Sequence, residues 1–367
     1  MSIIDALNVF YREDTISDFL INCFKDSNDF LIGFLNEAKI QVGDYTVFHV
    51  DTRVGLGENI GTPDIIIRAL TNSNMKFIIV ENKMGAVEGH EQTNRYESLE
   101  ARTRIANKYN VALENIEFHF IFLALDTTAK PKNSKFTFLN YHLFLQREWS
   151  LQNETLQLIF KDFQHKLHNF YEPLNNPYES LELDIEMDGI QRKICWQKIL
   201  FEAFYPNKEL VLDWGEVGGS GRSNFLFLIS KPTWTSDKPF RKSGLAQTFN
   251  VHIDSYINML DSRSKSVKEI GIRFESFPYE PHSKIKNLPN YKIFMENKSI
   301  FGDRLFERVL NRGILAKRKN TKLLVMTIQI QAMTIHETVQ NIKKQFGAIE
   351  RCIDEVVSEM KRENLIK

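Results

Sequence analysis

Residues 63–83 read PDIIIRALTNSNMKFIIVENK, and the fold of the first half of the chain turns on this stretch. Two apolar runs, at 65–70 and 77–80, flank the turn-forming segment TNSN at 71–74, which is the pattern of a β-hairpin. If those four residues form the connection, Leu70 faces Met75 and, counting outward, Asp64 faces Glu81. Directly opposed residues of an antiparallel pair share a face, with Cα atoms ~4.5–5.5 Å apart. Lys83, two positions beyond Glu81, points the same way. A slip of one residue would undo the arrangement, so the register is the first thing to test.

Two juxtaposed carboxylates repel, and burying them without a partner is costly. A divalent cation resolves the conflict, and hard oxygen ligands suit Mg²⁺ or Mn²⁺. Such an ion polarises a phosphoryl oxygen and acidifies a bound water, while a neighbouring lysine can orient that water, help deprotonate it or offset developing charge. The plainer alternative is a surface salt bridge around Lys83. Against it stand Pro63 directly before Asp64, the solidly apolar run ahead of Glu81, and a following helical segment with Gln92 and Tyr96 four apart on one face.

The set Pro63-Asp64, Glu81-Asn82-Lys83 and Gln92-Thr93-Asn94-Arg95-Tyr96 resembles the PD-(D/E)XK nuclease superfamily in its QxxxY-containing branch. The resemblance implies an α-β-β-β-α-β core like that of restriction endonucleases. The order of segments agrees: two helices over 3–37, a strand at 46–54, the hairpin 64–83, a helix over 88–109 and a strand at 118–126. It also implies metal-dependent hydrolysis of phosphodiesters. Asp64, Glu81 and the backbone carbonyl of Asn82 would then be metal ligands, Lys83 the catalytic lysine, and Gln92 with Tyr96 would shape the substrate side. A glutamate from the first helix completes the site in many members. Glu13 is the best match here, with Asp14 and Asp18 competing for the place. The implied substrate is DNA, with RNA left open, in a setting such as restriction, repair or phage defence. The rival reading is a non-catalytic nucleic-acid-binding or regulatory protein on the same scaffold.

Bulk properties bound the rest. The chain has 367 residues, enough for two domains, with 47 basic and 47 acidic side chains. That balance gives no bulk attraction to a polyanion, so nucleic-acid binding needs local patches. Three distant cysteines, Cys23, Cys195 and Cys352, offer neither a disulfide framework nor a CxxC metal site and suit a reducing compartment. The N-terminus lacks the signature of a signal peptide and no apolar run reaches membrane-spanning length, so the expectation is a cytoplasmic protein without membrane association.

The polar EPLNNPYES at 172–180 marks the expected boundary between a nuclease-like domain, 1–172, and a β-rich α+β domain, 180–367. In the second domain NFLFLIS, TFNVHIDSY, EIGIRFESF, YKIFMENK and LLVMTIQIQ read as strands of a mostly antiparallel sheet, with helices near 190–205 and over 334–363. The apolar stripe of the last helix reads as core, with a homodimer face as the alternative. A second ENK, Glu296-Asn297-Lys298, follows Pro289-Asn290 where an acid would be wanted and precedes no QxxxY, so it reads as a solvated strand end. GEVGGSGRS at 215–223 lacks the GK[ST] ending of a phosphate loop and reads as a turn. His252 and Asp254 lack a third ligand and read as a strand face. Lys317, Arg318, Lys319 and Lys322 read as a basic hairpin tip. Arg102, Arg104 and Lys108, on the helix carrying Gln92 and Tyr96, form the basic group nearer the candidate site. Recognition, partner binding and dimerisation are all open to the second domain.

Overall fold

The computed structural model describes residues 3–43, 47–70, 75–86, 88–89, 91–183, 185–204, 206–219, 222–258, 269–320, 325–329 and 334–367. The chain divides into two units, Met1–Asn175 and Asn176–Lys367.

The first unit opens with α1 (Ile3–Ala6), α2 (Glu13–Asp26) and α3 (Asn28–Glu37), then β1 (Val47–Thr52), β2 (Ile65–Leu70) and β3 (Met75–Lys83). After α4 (Gln92–Glu97) and α5 (Leu99–Lys108) come β4 (Ile116–Ala124), β5 (Phe136–Asn140) and α6 (Glu154–Asn175). The five strands form one sheet in the order β1-β2-β3-β4-β5. The first three are antiparallel neighbours and the last three parallel ones. Leu70 faces Met75 and Ile65 faces Val80, so the hairpin has the register expected from its sequence, and Asp64 and Glu81 are the next residues outward. The turn at 71–74 lies outside the described residues.

Strand β3 is buried from Phe77 through Lys83 because helices cover both faces of the sheet. Phe77 and Ile79 pack with Ile66, Phe120 and Phe122 beneath Tyr96, Ala101 and Ile105. Asn82, of opposite parity, faces α2. The parity of β3 therefore places Glu81 and Lys83 on the α4–α5 side and Asn82 on the α2 side.

Two boundaries differ from the sequence reading. The segment 3–37 forms three helices, because Ser27 ends α2 and its hydroxyl accepts from the Phe30 N–H at 3.2 Å to start α3. The segment 88–109 is broken at Ser98, whose extended backbone ends α4 and whose Oγ accepts the Ala101 N–H at 3.2 Å to cap α5. The EPLNNPYES stretch is helical on either side of Asn176. α6 carries Pro173 in its last turn, and the next helix begins with Pro177 at a first-turn position where no N–H is needed.

The second unit contains α7 (Pro177–Glu182), α8 (Gly189–Phe204), β6 (Val211–Gly219), β7 (Arg222–Thr235), α9 (Phe240–Ser243), β8 (Asn250–Asn258) and β9 (Glu269–Glu275). It continues with α10 (His282–Ile285), α11 (Tyr291–Asn311), β10 (Ala316–Asn320), β11 (Val325–Gln329) and α12 (Ile335–Arg362). Its six strands are antiparallel, in the order β10-β11-β9-β8-β7-β6. The stripe of α12, including Ile342, Phe346, Ile349, Ile353, Val356 and Val357, is buried within this unit, as the core reading required.

YKIFMENK is not a strand but the start of α11. Phe294, Asn297, Lys298, Phe301, Leu305 and Val309 recur at helical spacing, a period that shows only when the window extends past the first eight residues. The second ENK is therefore no solvated strand end. Asn297 donates to the carbonyls of Ala246 and Leu365, and buried Lys298 lies 3.4 Å from Glu275 and 3.2 Å from His282. Much of GEVGGSGRS lies within strands β6 and β7, with the turn at 220–221 outside the described residues. The basic AKRKN segment is edge strand β10, where lysines discourage further pairing, and Lys322 lies outside the described residues.

Candidate active site

Glu81 is 1% exposed and Lys83 7%. The Lys83 Nζ sits 2.6 Å from Glu81 Oε1 and 3.6 Å from Glu13 Oε2. Asp64 is half-buried, and its Oδ2 accepts the backbone N–H of Asn82 at 2.7 Å. The hairpin register thus brings Asp64, Glu81 and Lys83 together at the end of the sheet. Of the three acids competing on α2, Glu13 reaches the group: its Oε1 accepts the Met84 N–H at 3.1 Å while its Oε2 faces Lys83. Asp18 instead pairs with Arg53 at 2.9 Å, and Asp14 offers Arg53 only its carbonyl, at 3.4 Å.

Burial pushes the Asp64 carboxyl up to about 6, although the Asn82 N–H and the Lys83 charge pull it down. Glu81 is pushed up to about 8, first by burial and then by the charge of Asp64. Burial alone would lower Lys83, but Glu81, Glu13 and Asp64 outweigh it and raise its pKa, so it is an ammonium at neutral pH. Glu81 Oε2 is buried and has no hydrogen-bond partner among the described residues. A buried carboxylate oxygen with nothing to donate to it is costly, and a cation beside Asp64 relieves both that cost and the repulsion. The donor set therefore fits a hard divalent ion. Among the described residues no group of three or more His, Cys, Asp or Glu side chains is arranged to hold a metal. Two carboxylates suffice for an ion that keeps several waters, as Mg²⁺ does. Glu13 is turned to the lysine rather than joining such a triad.

Gln92 Nε2 donates to the Tyr96 hydroxyl at 3.2 Å, and its Oε1 accepts the Gly89 N–H at 3.1 Å. Tyr96 is buried, and burial followed by the charge of Glu81 pushes its pKa up to about 12, so the hydroxyl stays neutral beside the carboxylates. Gly61, at φ +102°, holds a backbone conformation that other residues rarely adopt in the loop beside that ring; a Cβ there would make an ordinary contact 3.5 Å from the Tyr96 hydroxyl. Arg102 and Arg104 lie on α5 rather than on the helix of Gln92, and both are engaged. Arg102 pairs with Glu97, and Arg104 binds Glu100 and the Leu56 carbonyl.

The sequence reading missed what holds the triplet in place. The side chain of Asn82 is fully buried on the opposite face, donating to Ser17 Oγ at 2.9 Å and to the Glu13 carbonyl at 3.3 Å. Its Oδ1 accepts from the Tyr141 hydroxyl at 2.7 Å. Ser17 lies four residues after Glu13, one turn along the same helix face, and that spacing was the available signal. Nothing local marked Tyr141, which arrives from the end of β5. His252 and Asp254 lie 3.2 Å apart on β8, with Arg273 also on Asp254, and form part of a sheet face.

Residues 3–172 match the family model described as the PD-(D/E)XK nuclease superfamily. No curated protein and no solved structure matched the chain. The matched residues end within α6 and take in every strand of the first sheet together with Asp64, Glu81 and Lys83. Residues 3–172, a little under half of the 367, form a domain of the PD-(D/E)XK nuclease superfamily.

Proposed function

We propose that the first unit is a Mg²⁺-dependent nuclease of the QxxxY-containing branch, hydrolysing phosphodiester bonds of DNA. The observation that carries this reading is the buried carboxyl of Glu81 next to Asp64, one oxygen on Lys83 and the other with no donor among the described residues. Asp64 and Glu81, with the carbonyl of Asn82, would hold the ion. When bound, such an ion polarises a phosphoryl oxygen and acidifies a coordinated water. Manganese would serve the same donors.

Hydrolysis forms one P–O bond to the oxygen of water and breaks one ester P–O bond, placing extra negative charge on the phosphoryl oxygens midway. Lys83, an ammonium held between Glu81 and Glu13, is a donor to that charge and to the attacking water, not a base. Glu13 fixes the direction of the Lys83 side chain. Tyr96 accepts from Gln92 and so has its own proton to donate toward the substrate side. Asn82 locks β3 to α2 from the far face, keeping Glu81, Lys83 and Glu13 in one frame.

The test is cleavage of plasmid and of labelled oligonucleotides by the purified chain. Cutting with Mg²⁺ that stops in excess chelator and in Glu81→Ala supports the reading. Tight DNA binding without cutting in either Mg²⁺ or Mn²⁺ overturns it in favour of a binding protein on a nuclease scaffold.

A further inference from the structure

We infer that one end of the second unit is a docking surface for nucleic acid with unpaired bases. Three segments distant in sequence meet there, 237–247, 276–293 and 361–367. The Phe240 N–H donates to the Phe277 carbonyl at 2.8 Å, and the Lys367 N–H donates to Gln247 at 3.1 Å. Asn297 bridges the carbonyls of Ala246 and Leu365. These segments carry nine lysines and arginines against three acids, in a chain whose total charge is zero. Lys238, Arg241, Lys242, Lys284, Lys286 and Lys292 are all exposed. Among these, Lys284 is engaged, with Glu280 at 3.4 Å.

The same segments carry one exposed aromatic side chain. Tyr279 is 65% exposed. It is not a loose tip: buried Ser276 donates to the Pro278 carbonyl at 3.0 Å and accepts the Glu280 N–H at 3.1 Å, bracketing Tyr279 on both sides. Pro278 and Pro281 stiffen the same turn. A solvent-facing ring on a braced backbone costs less entropy to stack on, and only unpaired bases offer a face to it. The cations of these joined segments offer charge for the phosphates, and the ring offers a flat apolar surface for a base. An anionic membrane would be met by the charge but gives a single pinned tyrosine no partner to stack upon.

The binding surface itself needs nothing from the first unit; that the strand it holds is a substrate for cleavage rests on the nuclease reading. Fluorescence anisotropy of the full chain with a labelled single-stranded DNA of about 20 nucleotides, in EDTA so that nothing is cut, measures it directly. The wild type should bind, with affinity falling as salt rises. The triple variant Lys238→Ala/Arg241→Ala/Lys242→Ala should lower the slope of log affinity against log salt by about two. Tyr279→Ala should weaken single-strand binding roughly tenfold with the salt slope unchanged. Binding that is absent in the wild type, unchanged in both variants, or equally strong for duplex and insensitive to Tyr279 overturns the proposal. So does binding to phosphatidylserine vesicles in place of the oligonucleotide. The two readings fail separately. A chain that binds but never cuts keeps this surface and loses the nuclease. A chain that cuts while neither variant alters binding keeps the nuclease and loses this surface.

Discussion

Replacing Glu81 by glutamine should stabilise the metal-free fold, and increasingly so as the pH rises. In the native state Glu81 holds its proton up to about 8, whereas a glutamate in the unfolded chain releases it near 4.5. Between those values the folded state binds more protons than the unfolded one, so the wild type loses stability as pH climbs through the window. The full gap, at about 1.4 kcal/mol per pKa unit, sets a ceiling of roughly 5 kcal/mol. Relaxation around the ionised pair with Lys83 lowers that, and about 2 kcal/mol is a reasonable expectation. Glutamine keeps the shape of the protonated acid and never ionises. Thermal melts of wild type and Glu81→Gln in EDTA should therefore nearly coincide at about pH 5. At about pH 9 the variant's metal-sensitive transition should lie roughly 4–8 °C higher. Adding Mg²⁺ at the higher pH should raise the wild type and leave the variant nearly unmoved. A wild type as stable as the variant at both pH values would show Glu81 comfortable as an anion, and the argument for a cation at this site would fail.

Metal binding must expel the protons that burial retains. Mg²⁺ affinity should accordingly rise with pH between about 6 and 8, with close to one proton released per ion near pH 7. Calorimetric titrations in two buffers of different ionisation heat measure that number, and none released would contradict the assignment of Glu81. Tyr141→Phe strips the donor from the buried Asn82 Oδ1 and should cost about 1–3 kcal/mol in urea unfolding; unchanged stability would show that the Asn82 network is not holding α2 to β3. Gly61→Ala places a Cβ at φ +102° beside the Tyr96 hydroxyl, and should destabilise the chain by about 1–2 kcal/mol and reduce cleavage, read from the same unfolding curves and the oligonucleotide assay.

The hairpin was legible because its register depends on local counting alone. Four turn residues fix Leu70 opposite Met75, and the parity of a strand does the rest. Glu13 could be nominated by type and position, but only the fold shows that Asp18 is drawn away by Arg53. Tyr141 carried no signal, and Ser17 only its one-turn spacing from Glu13, because their partner is the middle residue of the motif, whose side chain points away from the chemistry. In the second unit the short apolar run at 293–295 between polar ends lets YKIFMENK pass for a strand, while the helical period emerges only across Phe294, Phe301 and Leu305. Strand β6 escaped notice because its glycines carry none of the β-branched or aromatic bulk by which strands are recognised. The unpaired oxygen of Glu81 lies beyond any sequence pattern, since it depends on what does not reach it.

The two ENK triplets supply the sharpest test of the account. Lys83 faces the carboxylates at the end of the first sheet, whereas Lys298 is sealed inside the second unit against Glu275 and His282. Mg²⁺-dependent cleavage of labelled DNA should be measured for the wild type, Lys83→Met and Lys298→Met, each confirmed folded by its melting curve. The account predicts that Lys83→Met loses roughly a hundredfold or more in rate, while Lys298→Met still cuts at a rate close to the wild type. Equal cutting by the wild type and Lys83→Met, or no cutting by any of the three, would contradict it.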